Sequence, residues 1–122
     1  MKVITRHICG EDRVLCYSLR VSKAITERFG AGGIRESLKG DNPVETLDAV
    51  IWMLSLLMAA GKKYADKNGM KCPDAPSEDD MLDDYGLDDL ADLMGLANDA
   101  MTSGAQQEVE AVSKNGKTTQ DW

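Results

Sequence analysis

Several residue types are scarce in this sequence, and each shortage excludes a class of protein. Only 5% of the 122 residues are aromatic, and a single histidine, His7, is too few for a histidine-rich metal site. The longest nearly continuous apolar run is the 12 residues at positions 49–60. A helix that crosses a bilayer needs about 20 such residues, so we expect no transmembrane segment. The mixed polar start of the chain likewise predicts no secretory leader.

Cysteine is also scarce, and its three positions do not suggest a disulfide framework. Cys9, Cys16 and Cys72 form an odd set without a C-x-x-C pair, which favours reduced thiols in a cytoplasm. Cys9 and Cys16 could face each other across a hairpin and, with His7, could be pictured as metal ligands. Three protein ligands do not close a structural zinc site, so small half-buried strand residues are the simpler interpretation. We therefore predict no metal and no cofactor.

Charge is distributed unevenly along the chain. The formal net charge is −7, but residues 1–71 carry a net of +4, whereas residues 72–113 contain no Lys or Arg and carry −12. An acidic half repels phosphate backbones, so we expect no nucleic-acid binding. The asymmetry favours a protein partner or a head-to-tail contact between copies of the chain, that is, a possible homo-oligomer.

The hydrophobic pattern predicts a mainly α protein with a small N-terminal β-hairpin, in the α+β class. The helices should form a compact bundle around one long central helix. They are predicted at about residues 22–29, 34–39, 43–68, 78–85 and 87–103. Residues 1–104 are predicted to form a single domain, and the polar residues 105–122 a disordered tail.

The hairpin and the helix ends are predicted from turn and capping residues. The hairpin should span residues 2–19 with its turn at residues 10–12, and Leu15, Tyr17 and Leu19 should share one buried face of the second strand. The predicted N-caps are Ser22, Asn42 and Ser77, the last with Asp80 in the capping-box position. The predicted C-terminal ends are Gly30, Gly69 and Gly104.

The long helix has more apolar surface than one buried stripe requires. Its stripe consists of Leu47, Val50, Ile51, Leu54, Leu57, Met58, Gly61 and Ala65. Trp52 and Leu56 lie on the opposite side from Leu54, so the helix is apolar on both sides. Either the bundle wraps this helix completely, or the side with Trp52 and Leu56 meets another chain.

The second alternative gives a hypothesis for a partner interface. Trp is enriched at such interfaces, and Met offers adaptable packing against varied partners. The hypothetical interface residues are Trp52, Leu56, Met53, Met58, Met94 and Met101.

The sequence predicts no catalytic residue and therefore no enzyme. No nucleophile and base are paired in a recognisable motif, and His7 is predicted to be a partly buried strand residue. The acids of residues 79–92 lack the alternating pattern of a calcium loop and are expected to form a solvated face. A docking surface for a basic partner is the alternative for that face.

The order of the elements resembles a known family. After the hairpin come residues 19–30 (LRVSKAITERFG), then 46–61 (TLDAVIWMLSLLMAAG), then the helix within 87–104 and a polar tail. This layout and hydrophobic pattern, over roughly residues 3–105, is similar to the small tail assembly chaperones of long-tailed bacteriophages and prophages.

The resemblance implies a non-enzymatic role in the cytoplasm of a bacterial host. Such chaperones keep the long, hydrophobic tape-measure protein soluble and help to recruit tail tube protein subunits. The family contributes no catalytic residues, and no binding residue is transferred by position. The alternative is a prophage-encoded acidic regulatory protein that occupies a basic protein surface.

Overall fold

A computed structural model of the chain describes residues 2–30 and 43–113. Its elements are β1 (Val3–Ile8), β2 (Glu11–Cys16), α1 (Leu19–Phe29), α2 (Pro43–Lys67), α3 (Glu78–Asp84), a 3₁₀ turn (Leu87–Asp89) and α4 (Leu90–Ser113). The predicted α+β class, with an N-terminal hairpin and one long central helix, is confirmed. The predicted helix at residues 34–39 and the predicted cap Asn42 lie outside the described residues.

The two strands form an antiparallel hairpin with a two-residue turn. Val3 pairs with Cys16, and Ile8 pairs with Glu11. Between the strands, Cys9 and Gly10 both have positive φ, 52° and 80°, which is the backbone that a tight type I′ hairpin turn requires. The turn therefore begins one residue earlier than predicted. Because Cys9 lies in the turn and Cys16 at the far end of β2, the two thiols do not face each other.

The first helix begins earlier than the sequence predicted. Ser18, rather than Ser22, is its N-cap, and the Ser18 hydroxyl accepts a hydrogen bond from the Val21 amide at 3.3 Å. The strand consequently ends at Cys16, and Leu19 becomes the first residue of α1. The prediction that Leu19 shares the buried face of the hairpin is wrong, since 90% of its surface is exposed.

Residues Arg13–Cys16 of β2 are buried on both faces, and α2 lies against the strand. Leu15 joins the main core, whereas Val14 packs with Ala65 and Cys72 in a second small cluster. Gly61 allows this close approach: a Cβ atom there would lie 1.7 Å from the Val14 carbonyl oxygen. Glycine is therefore required at this crossing for steric reasons.

The central helix α2 buries the predicted stripe. Seven of its eight predicted members are buried, and Leu47 is half-buried. The helix ends with Gly69 at φ +68° and a hydrogen bond from the Met70 amide to the Ala65 carbonyl at 2.9 Å, a Schellman motif. Among the described residues, α2 is the one helix long and apolar enough to cross a membrane, but 50% of that apolar window is buried within the fold. Such burial is the pattern of a core helix.

Helices α3 and α4 pack on α2 and complete the core. The capping box of Ser77 is confirmed, because its hydroxyl accepts from the Asp80 amide at 3.0 Å while the Asp80 carboxylate accepts from the Ser77 amide at 3.4 Å. Gly104, in contrast, does not end the last helix, which continues to Ser113. A Cβ atom at Gly104 would lie 2.8 Å from the Cβ of Tyr17, so this glycine serves a close contact with the end of the hairpin. The disorder predicted for residues 105–122 stays a prediction, and residues 114–122 lie outside the described part.

One buried cation ties the loop after α2 to the hairpin. Arg13 is 5% exposed; its Nε donates to the Ile8 carbonyl at 2.9 Å, and its Nη1 donates to the Asp74 carbonyl at 2.7 Å. Lys62 of α2 adds a second bond to the same loop, to the Cys72 carbonyl at 2.9 Å. These bonds satisfy carbonyls that the loop would otherwise leave unpaired.

Candidate functional site

An apolar groove of about 460 Å³ lies between the start of α1 and the second half of α2. We name it the α1–α2 groove. Its apolar lining includes Leu19, Val21, Ala24, Leu56, Ala59 and Ala60, and its rim carries Arg20, Lys63 and Lys67. Apolar grooves with a few charged groups at the edge are typical of binding sites for small molecules or for partner helices.

The groove follows from the spacing of residues on the outward side of α2. Leu56, Ala60, Lys63 and Lys67 recur at helical intervals and therefore share one side of the helix. The small alanine side chains leave a depression there, because they do not fill the space beside α1. Leu19 extends this apolar surface from the first turn of α1, where no described side chain covers most of it.

The rim gives the groove a positive charge. Three of the described residues that line it are cations, and none is Asp or Glu. The ion pairs formed within the described part of the chain use other residues, so none of these three cations is paired with an acid there. A partner with acids beside an apolar stripe would match this surface best.

Trp52 does not lie free on the surface but holds α1 against α2. Its ring meets Phe29 edge-to-face with 5.8 Å between centroids, and the Arg28 guanidinium lies 4.5 Å from its ring centroid. Trp52 is accordingly half-buried. Aromatic and cation–π contacts within the chain therefore explain much of the burial of Trp52. Leu56, one turn further along α2, lines the groove instead.

Two of the four predicted interface methionines are buried in the core, and the other two are half-buried. Met53 and Met58 are 0% and 1% exposed and belong to the main core, so we remove them from the predicted interface. Met94 and Met101 are half-buried on α4 and pack against the same core. Of the six predicted interface residues, only Leu56 lines the α1–α2 groove. The helix buries so much because β2, α3 and α4 cover different sides of it.

A second surface has the opposite charge. We name it the acidic ridge; it comprises α3 and the 3₁₀ turn, with Glu78, Asp79, Asp80, Asp83, Asp84, Asp88 and Asp89. Two large apolar side chains protrude among these acids: Leu82 is 44% exposed and Leu87 is 74% exposed. Both border a small apolar cavity of about 100 Å³ that reaches Leu47 and Ile51 of α2. The ridge therefore combines acids with two leucines that border one apolar cavity.

The titratable groups that the sequence singled out are His7, Cys9 and Cys16, and each has its own local environment. His7 is exposed, not partly buried as predicted, and its Nδ1 lies 3.0 Å from the Asp12 carboxylate. Burial, and then a hydrogen bond with Asp84, raises the pKa of the Cys9 thiol, and burial raises the pKa of the Cys16 thiol. Such thiols stay protonated and are poor nucleophiles. No group of three or more His, Cys, Asp or Glu residues within the described ranges could hold a metal ion.

The sequence contained a signal for the groove that the prediction missed. Ser18 precedes Val21 and Ile25, which are spaced for one buried helix side, and a cap at Ser18 would have placed Leu19 off that side. An exposed leucine at the start of a helix would then have been the first candidate for a binding surface. One fold can host many functions, so function must be inferred from the groove and the acidic ridge.

The chain matches no family model, no curated protein and no solved structure.

Proposed function

We propose that this protein is a non-enzymatic tail assembly chaperone that holds an apolar helical segment of the tape-measure protein in the α1–α2 groove and helps to recruit tail tube subunits. The observation that carries the proposal is the groove itself, with an exposed Leu19 beside the apolar side of α2. A helix laid into an apolar groove is a common mode of peptide recognition. The role in tail assembly comes from the resemblance in layout and hydrophobic pattern.

The size of the groove favours weak contact with each client segment. Complete burial of an exposed leucine such as Leu19 contributes about 1.5–3 kcal/mol. Leu56 is already half-buried and adds less, and association itself costs several kcal/mol. One site should therefore bind weakly, and many copies along a long client would protect it together. Weak individual contacts also permit release when the tail assembles.

The rim adds selectivity to this apolar contact. Arg20, Lys63 and Lys67 favour a client helix whose apolar stripe is flanked by Asp or Glu. Exposed ion pairs contribute about 0.2–1 kcal/mol each and weaken with salt. Affinity for the client should accordingly fall moderately, and not collapse, as the salt concentration rises.

A matched pair of substitutions tests the proposal. Leu19 and Val44 are both exposed aliphatic residues in the first turn of a helix, at 90% and 63% exposure. Aspartate is favourable in a first turn, so Leu19→Asp and Val44→Asp should both fold. Each variant would be produced together with the tape-measure protein of the same genome, and the soluble tape-measure fraction would be measured.

The expected result is that Leu19→Asp loses the ability to keep the tape-measure protein soluble, whereas Val44→Asp retains it. In purified form, Leu19→Asp should bind a tape-measure segment at least about tenfold more weakly, since about 1.4 kcal/mol is a factor of ten. Equal binding by wild type and Leu19→Asp would overturn the groove as the client site.

The acidic ridge supports a second candidate function, an acidic regulatory protein that occupies a basic protein surface. Its supporting observation is the exposure of Leu82 and Leu87 among acids. This candidate predicts binding that is lost in high salt and in Leu87→Asp, with Leu19→Asp unaffected. The two functions therefore predict opposite outcomes for the two leucine substitutions.

A further inference from the structure

The molecule carries two surfaces of opposite charge, and each includes an exposed leucine. The α1–α2 groove presents Leu19 with a basic rim, and the acidic ridge presents Leu87 between acids. Residues 72–113, which contain the ridge, have no Lys or Arg at all. Charge complementarity of this kind brings surfaces together and fixes their register.

One copy of the chain cannot join its own two surfaces. The cavity beside the acidic ridge reaches Leu47 of α2, whereas the groove is lined by Leu56. These residues are nine positions apart on one helix, which at about 100° per residue places them on opposite sides of α2. Both surfaces are anchored to this rigid core helix, so contact between them requires a second copy.

We infer that the acidic ridge of one copy docks into the α1–α2 groove of a second copy when no client is bound. Leu82 and Leu87 would enter the apolar floor, and the acids around them would meet Arg20 and Lys63 on the rim. The contact covers the apolar area that each copy otherwise exposes to water. Because it joins two different patches, it is heterologous and produces chains or rings of copies.

This docking gives the groove a second occupant, and here the inference rests on the proposed function. A client helix and the acidic ridge of a neighbouring copy compete for the same floor. Client binding therefore requires release of the neighbour, and the apparent client affinity falls as the concentration of the protein rises. Copies that hold no client remain protected from non-specific aggregation.

The test reverses the charge of each surface separately. One variant carries Arg20→Glu and Lys63→Glu in the groove, and the other carries Asp79→Lys and Asp83→Lys on the acidic ridge. Circular dichroism checks that each is folded, and sedimentation velocity measures self-association over a range of concentrations. A matched control for the groove variant, Lys2→Glu with Lys71→Glu, lowers the net charge by the same amount at exposed positions away from both surfaces.

We expect the wild type and the control to associate alike, and each reversed variant alone to associate at least about tenfold more weakly. An equal mixture of the two reversed variants should restore association, because the reversed ridge then meets the reversed groove. A monomeric wild type at all concentrations, reversed variants that associate like the wild type, or a mixture without recovery would each overturn the docking. The proposed function is judged separately, since client binding by Leu19→Asp and Val44→Asp does not require self-association.

Discussion

Replacement of Gly61 by alanine tests the packing on which the whole fold depends. Gly61 lies where α2 crosses β2, and an added Cβ atom would meet the Val14 carbonyl oxygen at 1.7 Å and the Val14 carbonyl carbon at 2.4 Å. Both are backbone atoms, so no side-chain rotation relieves the overlap. The strand and the helix would have to move apart, and the contacts of Leu15 and Ala65 at this interface would loosen.

The expected change in the free energy of unfolding is the difference between two opposing effects. Alanine in place of glycine inside a helix is favourable by about 1 kcal/mol. Overpacking of a core typically costs about 1–3 kcal/mol, and an overlap with rigid backbone belongs at the upper end or beyond. We therefore expect Gly61→Ala to lower the free energy of unfolding by about 2 kcal/mol or more.

Gly95 provides a matched control within the same protein. It also lies inside a helix, but an added Cβ atom would meet nothing within 4 Å. Gly95→Ala should therefore raise the free energy of unfolding by about 1 kcal/mol. Urea unfolding followed by circular dichroism measures both. If Gly61→Ala is as stable as Gly95→Ala, the close crossing of α2 and β2 is wrong.

Two further predictions follow from contacts of named side chains. Trp52→Ala should lower the free energy of unfolding by about 2–3 kcal/mol, because it removes an aromatic pair, a cation–π contact and half-buried apolar area; a urea curve within about 0.5 kcal/mol of wild type would contradict these contacts. The pKa values of Cys9 and Cys16 are raised, so above about pH 8.5 the folded state binds more protons than the unfolded state. The free energy of unfolding should thus be unaffected by these thiols at neutral pH and fall as the pH rises beyond about 8.5. Urea unfolding at about pH 7.5 and pH 9.5 measures this fall, and a variant without the two thiols should show a smaller one. A free energy of unfolding that increases with pH would contradict the raised pKa values of the two thiols.

The sequence predicts those parts of the fold that depend on local pattern. The apolar period of α2, its end at Gly69 and the capping box at Ser77 are readable because helical spacing and capping chemistry act within a few residues. By residue type alone Ser18 and Ser22 are equally good caps, so the choice between them depended on the spacing of Val21 and Ile25. Tertiary packing decided it, since a start at Leu19 allows Val21 and Ile25 to enter the core.

The candidate site depends on packing between distant elements and was therefore harder to predict. An interface at Trp52 and Met53 assumes that α2 has one uncovered side, but α1 covers Trp52 and the core encloses Met53. The burial of Arg13 likewise could not be predicted from alternation along the strand, because β2 is buried on both faces at this point. Its guanidinium donates hydrogen bonds to carbonyls 5 and 61 residues away in the sequence. Only the assembled fold shows that Leu19 and Leu56 border one groove.

The most direct test of the account is to locate the client on the surface. The methyl groups of Leu and Ala would be labelled, and their NMR signals followed as a tape-measure segment is added. The account predicts that the signals of Leu19, Leu56 and Ala60 shift as the segment binds. The signals of Leu82 and Leu87 should shift only if the segment displaces a neighbouring copy of the protein. Shifts confined to Leu82 and Leu87, with the groove residues unchanged, would contradict the central claim that the α1–α2 groove holds the client.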